Sequence, residues 1–491
     1  EGTTLQNFGG LSAVRIGGVN GEGSTLIMES GSKIIDDGFT DREGGFAAVW
    51  NQGGTFTMED GAEISDVYGR ALYSQDGGKS EINGVISRIT PVGKPNFQAY
   101  NLGTEGRGFG GIAVYEDSSS EVTLGASGRI CDITASKSAD VVLFIKGTSK
   151  FTMENGSKIS DITLGGIAEC DGNNTIKIDG KISNCSLENV AIRIRGNNNT
   201  FELLEHGIIT ECDTTDVGAI YTNSLREKLT ISGEISYITQ PALFIAANRG
   251  QGENNMPVCT ITKTAKIRNN TGYGVRVGNT AKLVMEGGTI SGNTEGGIRI
   301  KSDNTLTPTL VSMTGGHITE NGGPGIRFEG SSKAQTIVDI EGGIIEKNAL
   351  EVSATSLNSE NENQRLFIKS GVVKGNRSVN FSSELSEILS GITPVGTLTL
   401  DENYADVHLG RAKSDAVNQI KSLVQTEHPD WTPIGTSALW IMPSTEEYHF
   451  TLTRPSSTKK TGLFAAYIPL KEDGTPADDA ALTLEEVENQ A

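Results

Sequence analysis

Apolar and polar residues alternate along most of this chain in short runs that glycine, asparagine and aspartate separate. Residues 283–285, 289–291 and 297–300 are examples of such runs. Alternation with a period of two over a few residues is typical of short β-strands, and the separating residues are those that favour tight turns. The pattern therefore predicts many short strands joined by turns.

One segment recurs along the chain and sets its organisation. Residues 56–66, FTMEDGAEISD, return at 151–161 as FTMENGSKISD and in a shorter form at 283–293 as LVMEGGTISGN. Each segment contains an isoleucine, or once a valine, which serves as an anchor for alignment. The anchors are Ile34, Ile64, Ile86, Ile130, Ile159, Ile182, Ile209, Ile235, Ile267, Ile290, Ile318, Ile345 and Val373. Successive anchors lie 22 to 32 residues apart, except for 44 between Ile86 and Ile130, and such a period indicates a solenoid.

Each period contains three strand-like runs with turns, so one period predicts one coil of three strands. We therefore predict an all-β fold, a right-handed parallel β-helix solenoid of about thirteen coils, over residues 1–400. Beyond it, a helix is predicted at 414–427, followed by strands at 437–442, 448–453 and 463–470. We interpret residues 401–471 as a small C-terminal α+β cap or linker module, and the acidic residues 472–491 as a linker or tail.

Two positions of the repeat predict the coil interior. Three residues after the anchor, the earlier coils carry apolar residues or cysteine, whereas the last five carry asparagine. We expect an apolar stack that gives way to a ladder of hydrogen-bonded asparagines. The asparagines are Asn270, Asn293, Asn321, Asn348 and Asn376. The other position holds five of the seven methionines, which predict a core stripe: Met28, Met58, Met153, Met285 and Met313.

Composition agrees with an elongated scaffold and narrows its partners. Glycine accounts for 62 of 491 residues and aromatic residues for 6%, which favours many turns over one large round core. A net charge of -20 argues against nucleic acid and anionic membrane surfaces as partners. No run of about 18 apolar residues is present, so the sequence predicts no membrane-spanning segment.

Cysteine usage does not indicate a covalent framework or a metal centre. The five cysteines are an odd number and have no CxxC or CxxH spacing, so neither disulfides nor zinc organise the fold. Cys185 and Cys212 share the inward position of adjacent coils, within disulfide range. We expect buried free thiols, because in-register side chains point alongside each other. The sequence predicts no cofactor and no metal site.

The Gly-Gly-x-Ile-x-x-Asn and Phe-Thr-Met-x-x-Gly repeats resemble those of right-handed parallel β-helix proteins on bacterial surfaces. This pectate-lyase-like architecture is widespread among adhesin-like proteins, and the resemblance covers roughly residues 11–400. It implies an extracellular protein, at the cell surface or secreted, that acts as an adhesin-like binding or display scaffold. The expected partner is a host or environmental glycan or a host surface protein. A non-binding structural spacer is one alternative.

A polysaccharide lyase or glycoside hydrolase is the other alternative, because enzymes of both kinds use this architecture. The one dense acidic cluster in the repeats is Asp36, Asp37 and Asp41, without a convergent basic pattern, and a solvated turn explains it. Residues 299–301, Arg-Ile-Lys, resemble a polygalacturonase motif, but that family's acidic elements have no match in the preceding coils. The five histidines are scattered. We predict no catalytic residues.

The candidate binding site is a row of outward side chains in four successive coils: Phe244, Arg276, Arg299 and Arg327. One interpretation is a solvent-facing ladder neutralised by neighbours such as Glu329 and Glu351. The functional interpretation is a groove for an anionic or hydroxyl-rich glycan, since guanidinium groups bind carboxylate and sulfate bidentately and Phe244 can stack on a sugar. Insertions at 248–257, 301–309 and 354–365 follow the same strand and are expected to rim it, and one at 91–109 lies at another corner.

Overall fold

The computed structural model describes most of the chain up to residue 354 and short elements beyond it. The described residues are 2–6, 12–17, 23–35, 47–90, 112–135, 140–214, 217–247, 252–303, 307–330 and 336–354, then 364–368, 372–374, 380–381, 408–411, 422, 426, 431–433, 439–440, 450–455, 463–467 and 483–487. The chain divides into two compact units. The first unit comprises Glu1–Asn248 with Asn255–Gly272, and the second comprises Arg249–Asn254 with Tyr273–Ala491.

The first unit is a stack of turns, each contributing one strand to each of three parallel sheets. The strands of sheet A are Thr4–Gln6, Lys33–Ile35, Glu63–Ser65, Val85–Ser87, Arg129–Thr134, Lys158–Leu164, Lys181–Leu187, Ile208–Asp213, Glu234–Ile238 and Lys266–Arg268. The strands of sheet B are Val14–Gly17, Val49–Gln52, Leu72–Gln75, Val114–Glu116, Val141–Lys146, Gly166–Asp171, Ile192–Arg195, Ile220–Thr222 and Leu243–Ile245. The strands of sheet C are Thr25–Met28, Thr55–Met58, Lys79–Ile82, Glu121–Leu124, Lys150–Met153, Thr175–Ile178, Thr200–Leu203, Lys228–Ile231 and Val258–Ile261.

The second unit repeats the three-sheet arrangement. Its sheet A strands are Thr289–Ser291, His317–Thr319, Ile344–Glu346 and Val372–Lys374. Its sheet B strands are Tyr273–Val277, Gly296–Ser302, Pro324–Gly330, Leu350–Ala354 and Asn380–Phe381. Its sheet C strands are Lys282–Met285, Thr309–Met313, Thr336–Ile340 and Gln364–Ile368, followed by the antiparallel His408–Arg411 and Leu439–Trp440. An antiparallel sheet contains Trp431–Pro433, Phe450–Pro455, Leu463–Tyr467 and Thr483–Val487.

The predicted all-β parallel solenoid is confirmed, and the anchors explain why the turns stack. The thirteen anchors all lie in strands of sheet A, and each from Ile34 to Ile345 is at most 1% exposed. The register aligns them directly, as in Ile64 with Ile86 and Ile86 with Ile130. Because side chains alternate between the two faces of a strand, a buried anchor fixes which neighbours face solvent.

The predicted module and tail boundaries at residues 400 and 471 stay predictions. Three described strands overlap the runs predicted there, namely Leu439–Trp440, Phe450–Pro455 and Leu463–Tyr467. Of the predicted helix at 414–427, only Ser422 and Thr426 belong to the described residues, and both are helical. The described residues also include a short 3-10 helix, Glu253–Asn255.

The methionine stripe lies in the coil interior as predicted, on the inner face of sheet C. All five methionines are at most 5% exposed. Met28 aligns with Met58, and Met285 aligns with Met313, in adjacent strands. The stripe therefore fills the coil interior with unbranched, adaptable side chains.

The predicted asparagine ladder is present in the second unit. The Asn321 Oδ1 atom accepts hydrogen bonds from the Asn293 main-chain N–H at 3.1 Å and from Asn293 Nδ2 at 2.9 Å. The Asn348 Oδ1 atom receives the same pair of bonds from Asn321, at 3.2 and 2.8 Å. In the first unit, Asn270 accepts from the Ile238 main-chain N–H at 3.0 Å. Asn376 lies outside the described residues.

A second polar ladder, which the sequence analysis missed, precedes the strands of sheet C in the first unit. It consists of Ser120, Ser149, Asn174, Asn199 and Glu227, all at most 1% exposed. Asn174 Oδ1 accepts from the Ser149 N–H at 2.9 Å, and Asn199 Oδ1 accepts from the Asn174 N–H at 3.0 Å. Glu227 ends the described hydrogen-bond series by accepting from the Asn199 N–H at 2.6 Å. The residue type changes from serine to asparagine to glutamate along this ladder, so a repeat of one residue type does not reveal it.

The cysteines are free thiols in this structure. Cys185 and Cys212 are aligned in adjacent strands, as predicted. Each thiol donates a weak hydrogen bond to a main-chain carbonyl, Cys185 to Ser183 and Cys212 to Thr210, at 3.3 Å. Both are buried, so they act as small core residues.

Candidate functional site

The three predicted arginines form a continuous row on the outer face of sheet B in the second unit. Arg276 aligns with Arg299, and Arg299 aligns with Arg327, in three successive strands. Their neighbours in the strands, such as Ile298, Ile300 and Ile326, are at most 1% exposed. The alternation that buries these isoleucines therefore places the guanidinium groups on the opposite, outer face.

Glu329 joins two of the guanidinium groups. It forms ion pairs with Arg299 and, at 2.5 Å, with Arg327 Nε. The Glu329 side chain is 14% exposed, and those of Arg299 and Arg327 are 24% and 34% exposed. One carboxylate is thus shared between two cations, and the remaining charge of these three side chains is positive.

Tyr273 supports the row from the first of these strands. Its hydroxyl accepts a hydrogen bond from Arg327 Nη1 at 3.2 Å. The Arg299 guanidinium carbon lies 5.7 Å from the centre of the Tyr273 ring, within cation–π range. Burial raises the pKa of the Tyr273 hydroxyl, so the phenol stays protonated at neutral pH. Glu329 and Tyr273 together hold the two arginines in defined positions.

This arrangement contains features of both interpretations of the arginine row. The ion pairs with Glu329 are those of the neutralised ladder. The fixed guanidinium geometry and the remaining positive charge are features that favour binding of an anion. The binding role of the row stays a prediction, and the burial of Glu351 lies outside the description.

Phe244, the fourth predicted site residue, belongs to the first unit. It lies at the outer face of sheet B, aligned with Tyr221. The two rings are tilted by 42° with centroids 5.3 Å apart. Phe244 is therefore one partner of an aromatic pair in its own unit.

The predicted insertions are placed by the strands that precede them. Those at 248–257, 301–309 and 354–365 follow or overlap the ends of the sheet B strands Leu243–Ile245, Gly296–Ser302 and Leu350–Ala354. The insertion at 91–109 lies between a sheet A strand and a sheet B strand, Val85–Ser87 and Val114–Glu116. Most residues of these insertions lie outside the described ranges, including the aromatic residues of the insertion at 91–109, Phe97, Tyr100 and Phe109.

The residues that were weighed as evidence for a polysaccharide lyase or glycoside hydrolase are described only in part. Arg299 and Lys301 belong to the strand Gly296–Ser302, with Ile300 fully buried between them, so this tripeptide follows the repeat pattern. Asp36, Asp37 and Asp41 lie outside the described residues. Within the described ranges, no three or more histidine, cysteine, aspartate or glutamate side chains are grouped to hold a metal ion.

An aromatic row on the outer face of sheet B in the first unit escaped the sequence analysis. Trp50, Tyr73, Tyr115 and Phe144 align in four successive strands. Successive ring centroids lie 6.0, 5.0 and 5.4 Å apart. Tyr73 and Tyr115 are only 2% and 5% exposed, and the guanidinium of Arg70 lies 4.7 Å from the centre of the Tyr115 ring. The row is therefore a packed cluster. Tyr73 and Tyr115 are far apart in the sequence, so the repeat spacing did not predict this row.

Comparison with known proteins does not assign this chain to a family. No protein-family model matches it, and no match is found among curated proteins. Among the helical residues that the structure describes, none forms a helix long and apolar enough to cross a membrane. The resemblance to adhesin-like proteins accordingly stays a prediction based on the repeat.

Proposed function

We propose that this chain is the binding scaffold of an extracellular, adhesin-like surface protein and that it recognises an anionic glycan. The observation that carries the proposal is the in-register row of Arg276, Arg299 and Arg327 on one sheet face of the second unit. A linear glycan has repeating substituents, and a parallel solenoid presents equivalent side chains about 4.8 Å apart. Because the glycan and the solenoid both repeat, one glycan chain can contact several turns of the solenoid.

The chemistry of the row favours a ligand with carboxylate or sulfate groups. A guanidinium group donates two parallel hydrogen bonds to such an anion, which a lysine ammonium does not. Glu329 holds Arg299 and Arg327 close together and leaves their combined charge positive. Because the whole chain has a net charge of -20, it has no long-range positive field that attracts an anion. Binding therefore depends on the local excess of positive charge at the arginine row.

The test is a glycan array that includes glycosaminoglycans, pectins and sulfated mucin glycans, followed by titration of each hit. We expect a hit to lose binding in the triple variant Arg276→Ala, Arg299→Ala, Arg327→Ala. Truncation of a central interface arginine costs about 1 to 3 kcal/mol, so the triple change should lower the affinity at least about a hundredfold.

Two matched variants make this test specific. A triple lysine variant at the same positions keeps the charge but removes the bidentate donors, and it should recover only part of the affinity. The variant Lys79→Ala, Lys150→Ala, Lys228→Ala removes the same charge from exposed positions on sheet C of the first unit and should bind normally. Anionic-glycan affinity that is equal in all variants would refute the arginine row as the site.

The enzyme and spacer alternatives make different predictions. A polysaccharide lyase or glycoside hydrolase releases unsaturated or reducing ends from pectins, glycosaminoglycans or mucin glycans, and the pure protein should release neither. A non-binding spacer binds no glycan or host surface protein on an array. Either product release or the absence of every ligand would contradict the proposed function.

A further inference from the structure

A concave groove follows the outer side of sheet A in the first unit. It encloses about 480 Å³. One wall, the bend wall, consists of the residues at which each strand bends with a positive φ, between 53° and 59°: Asp132, Asp161, Asn184 and Glu211. The other wall consists of residues two positions later in the same strands: Thr134, Thr163, Ser186 and Asp213.

The repeat generates both walls. Thr134 aligns with Thr163, Thr163 with Ser186, and Ser186 with Asp213, so each turn adds one residue to each wall. Between the walls lie the inward residues of the same strands, including Ile133, Ile162 and Cys185. A ligand in the groove thus meets an equivalent pair of polar side chains at every turn.

The two walls differ in hydrogen-bonding character. Asp161 accepts hydrogen bonds from Ser160 and from the Asn184 amide, which lower the pKa of its carboxyl and keep it ionised. Carboxylates only accept hydrogen bonds, whereas the hydroxyls of Thr134, Thr163 and Ser186 donate and accept. The bend wall therefore offers mainly acceptors, and the opposite wall offers hydroxyl donors in three turns, followed by the Asp213 carboxylate in the fourth.

An exposed tyrosine continues the bend wall beyond the groove. Tyr237 follows Glu211 in the next turn, because Cys212 aligns with Ile238. It has a φ of 54° and is 55% exposed. A positive φ is rare for a bulky residue, and here it places an aromatic ring in solvent beside the polar walls. The Asn269 amide donates to its hydroxyl at 3.3 Å.

We propose that this groove binds a second class of ligand, a glycan chain that carries no acidic groups. Sugar hydroxyls donate to the carboxylates of the bend wall and accept from the hydroxyls of the opposite wall. The Tyr237 ring stacks on the apolar face of one sugar, because tyrosine combines an apolar ring with a polar hydroxyl that stays hydrated. The carboxylates repel uronates and sulfates, so this site and the arginine row select opposite ligands.

The arrangement of the acidic groups favours a glycan over a metal ion. In the part of the chain that the structure describes, no three of them converge on one point. They are instead spread along the groove: Asp132 and Asp161 lie on the bend wall, and Glu211 and Asp213 lie on opposite walls of one later turn, with Asn184 between Asp161 and Glu211. This distribution suits an extended ligand.

The test is calorimetric titration of the full chain with three probes: N-acetylated chito-oligosaccharides, deacetylated chitosan oligosaccharides and oligogalacturonates. We expect at least one of the first two to bind this groove, the cationic probe more weakly as salt rises. Tyr237→Asn should weaken that binding at least about tenfold, which corresponds to about 1.4 kcal/mol, because the aromatic ring that stacks on the sugar is lost. Asparagine is chosen because it readily adopts a positive φ.

Two further variants separate binding from folding. The double variant Asp161→Asn, Glu211→Gln keeps the shapes of the side chains and should weaken binding by a similar factor, while Glu121→Gln, an exposed change on sheet C, should not. Failure of both non-acidic probes to bind would overturn the proposal. So would binding that the Tyr237 and double variants leave unchanged. Oligogalacturonate binding reports on the arginine row, so the two proposals fail independently.

Discussion

Asn293 and Asn321 occupy the same position in consecutive turns and are joined by two hydrogen bonds. The Asn321 Oδ1 atom accepts both the main-chain N–H of Asn293, at 3.1 Å, and its side-chain amide, at 2.9 Å. Asn321 in turn donates from Nδ2 to the Ile290 carbonyl at 3.1 Å. Each rung therefore satisfies a buried turn N–H of its neighbour, which makes the ladder part of the backbone hydrogen-bonding scheme.

Replacing Asn321 by alanine should destabilise the second unit. The change removes the Oδ1 atom that accepts the Asn293 main-chain N–H and side-chain amide, and the loss of a buried hydrogen-bond partner costs about 1 to 3 kcal/mol. Chemical denaturation of the variant measures this difference. Lys301→Ala, at an exposed position of the same unit, is the control. An unchanged free energy of unfolding would contradict the structural role of the ladder.

Glu227 should make the stability of the first unit depend on pH. Burial raises the pKa of its carboxyl to about 7, despite hydrogen bonds from Asn199 and Asn197 that act in the opposite direction. The folded state therefore holds a proton that the unfolded state has lost above its ordinary pKa, near 4.5. Stability from this group is full below that value and is lost as pH rises to about 7.

Denaturation curves at several pH values test the role of Glu227. The variant Glu227→Gln does not titrate, so its stability should decline less between about pH 4.5 and 7 than that of the unchanged protein. Glu154→Gln, at an exposed position of the same unit, leaves the decline as it is. Parallel pH profiles for all three proteins would contradict the raised pKa of Glu227 in the folded state.

Glu116 is a second buried carboxyl and should be destabilising when charged. It is fully buried at an inward position, aligned with Ser74 and Ile145. Within the described part of the chain, neither of its oxygens has a hydrogen-bond partner. Burial raises the pKa of this carboxyl well above its ordinary value, so stability falls as pH rises towards the folded pKa.

The substitution Glu116→Leu tests this interpretation. Leucine suits this position, which Ile145 and Cys170 occupy in the following turns. The substitution also removes a buried unpaired polar group, which costs about 1 to 3 kcal/mol of stability. We expect a higher melting temperature at pH 8 and a smaller gain at pH 4. A loss of stability at both values would indicate that Glu116 has a buried partner such as water.

The buried thiols should resist modification until the protein unfolds. Cys170, Cys185, Cys212 and Cys259 are at most 3% exposed, and burial raises the thiol pKa of Cys170 and Cys259. Cys131 is partly exposed, but burial raises its pKa to about 11, so it too reacts slowly at neutral pH. Titration with a thiol reagent should detect all five thiols only in denaturant. Fewer than five would reveal a disulfide between Cys185 and Cys212.

The repeat pattern was sufficient to predict the solenoid, its anchors, the methionine stripe and the asparagine ladder. These features depend on one residue type at one position of the repeat. In a parallel stack, equivalent positions lie directly above one another, so the sequence alignment is also the spatial alignment. The register of Arg276, Arg299 and Arg327 follows from the same rule.

The side chains that surround those positions could be identified only from the three-dimensional packing. Glu329 contacts Arg299 and Arg327 because alternate residues of a strand share one face, and no spacing rule specifies which rotamers meet. The ladder that ends at Glu227, the aromatic row of Tyr73 and Tyr115, and the groove beside Tyr237 combine different residue types across turns of unequal length. Contacts between unlike side chains depend on packing in three dimensions, which periodicity does not encode.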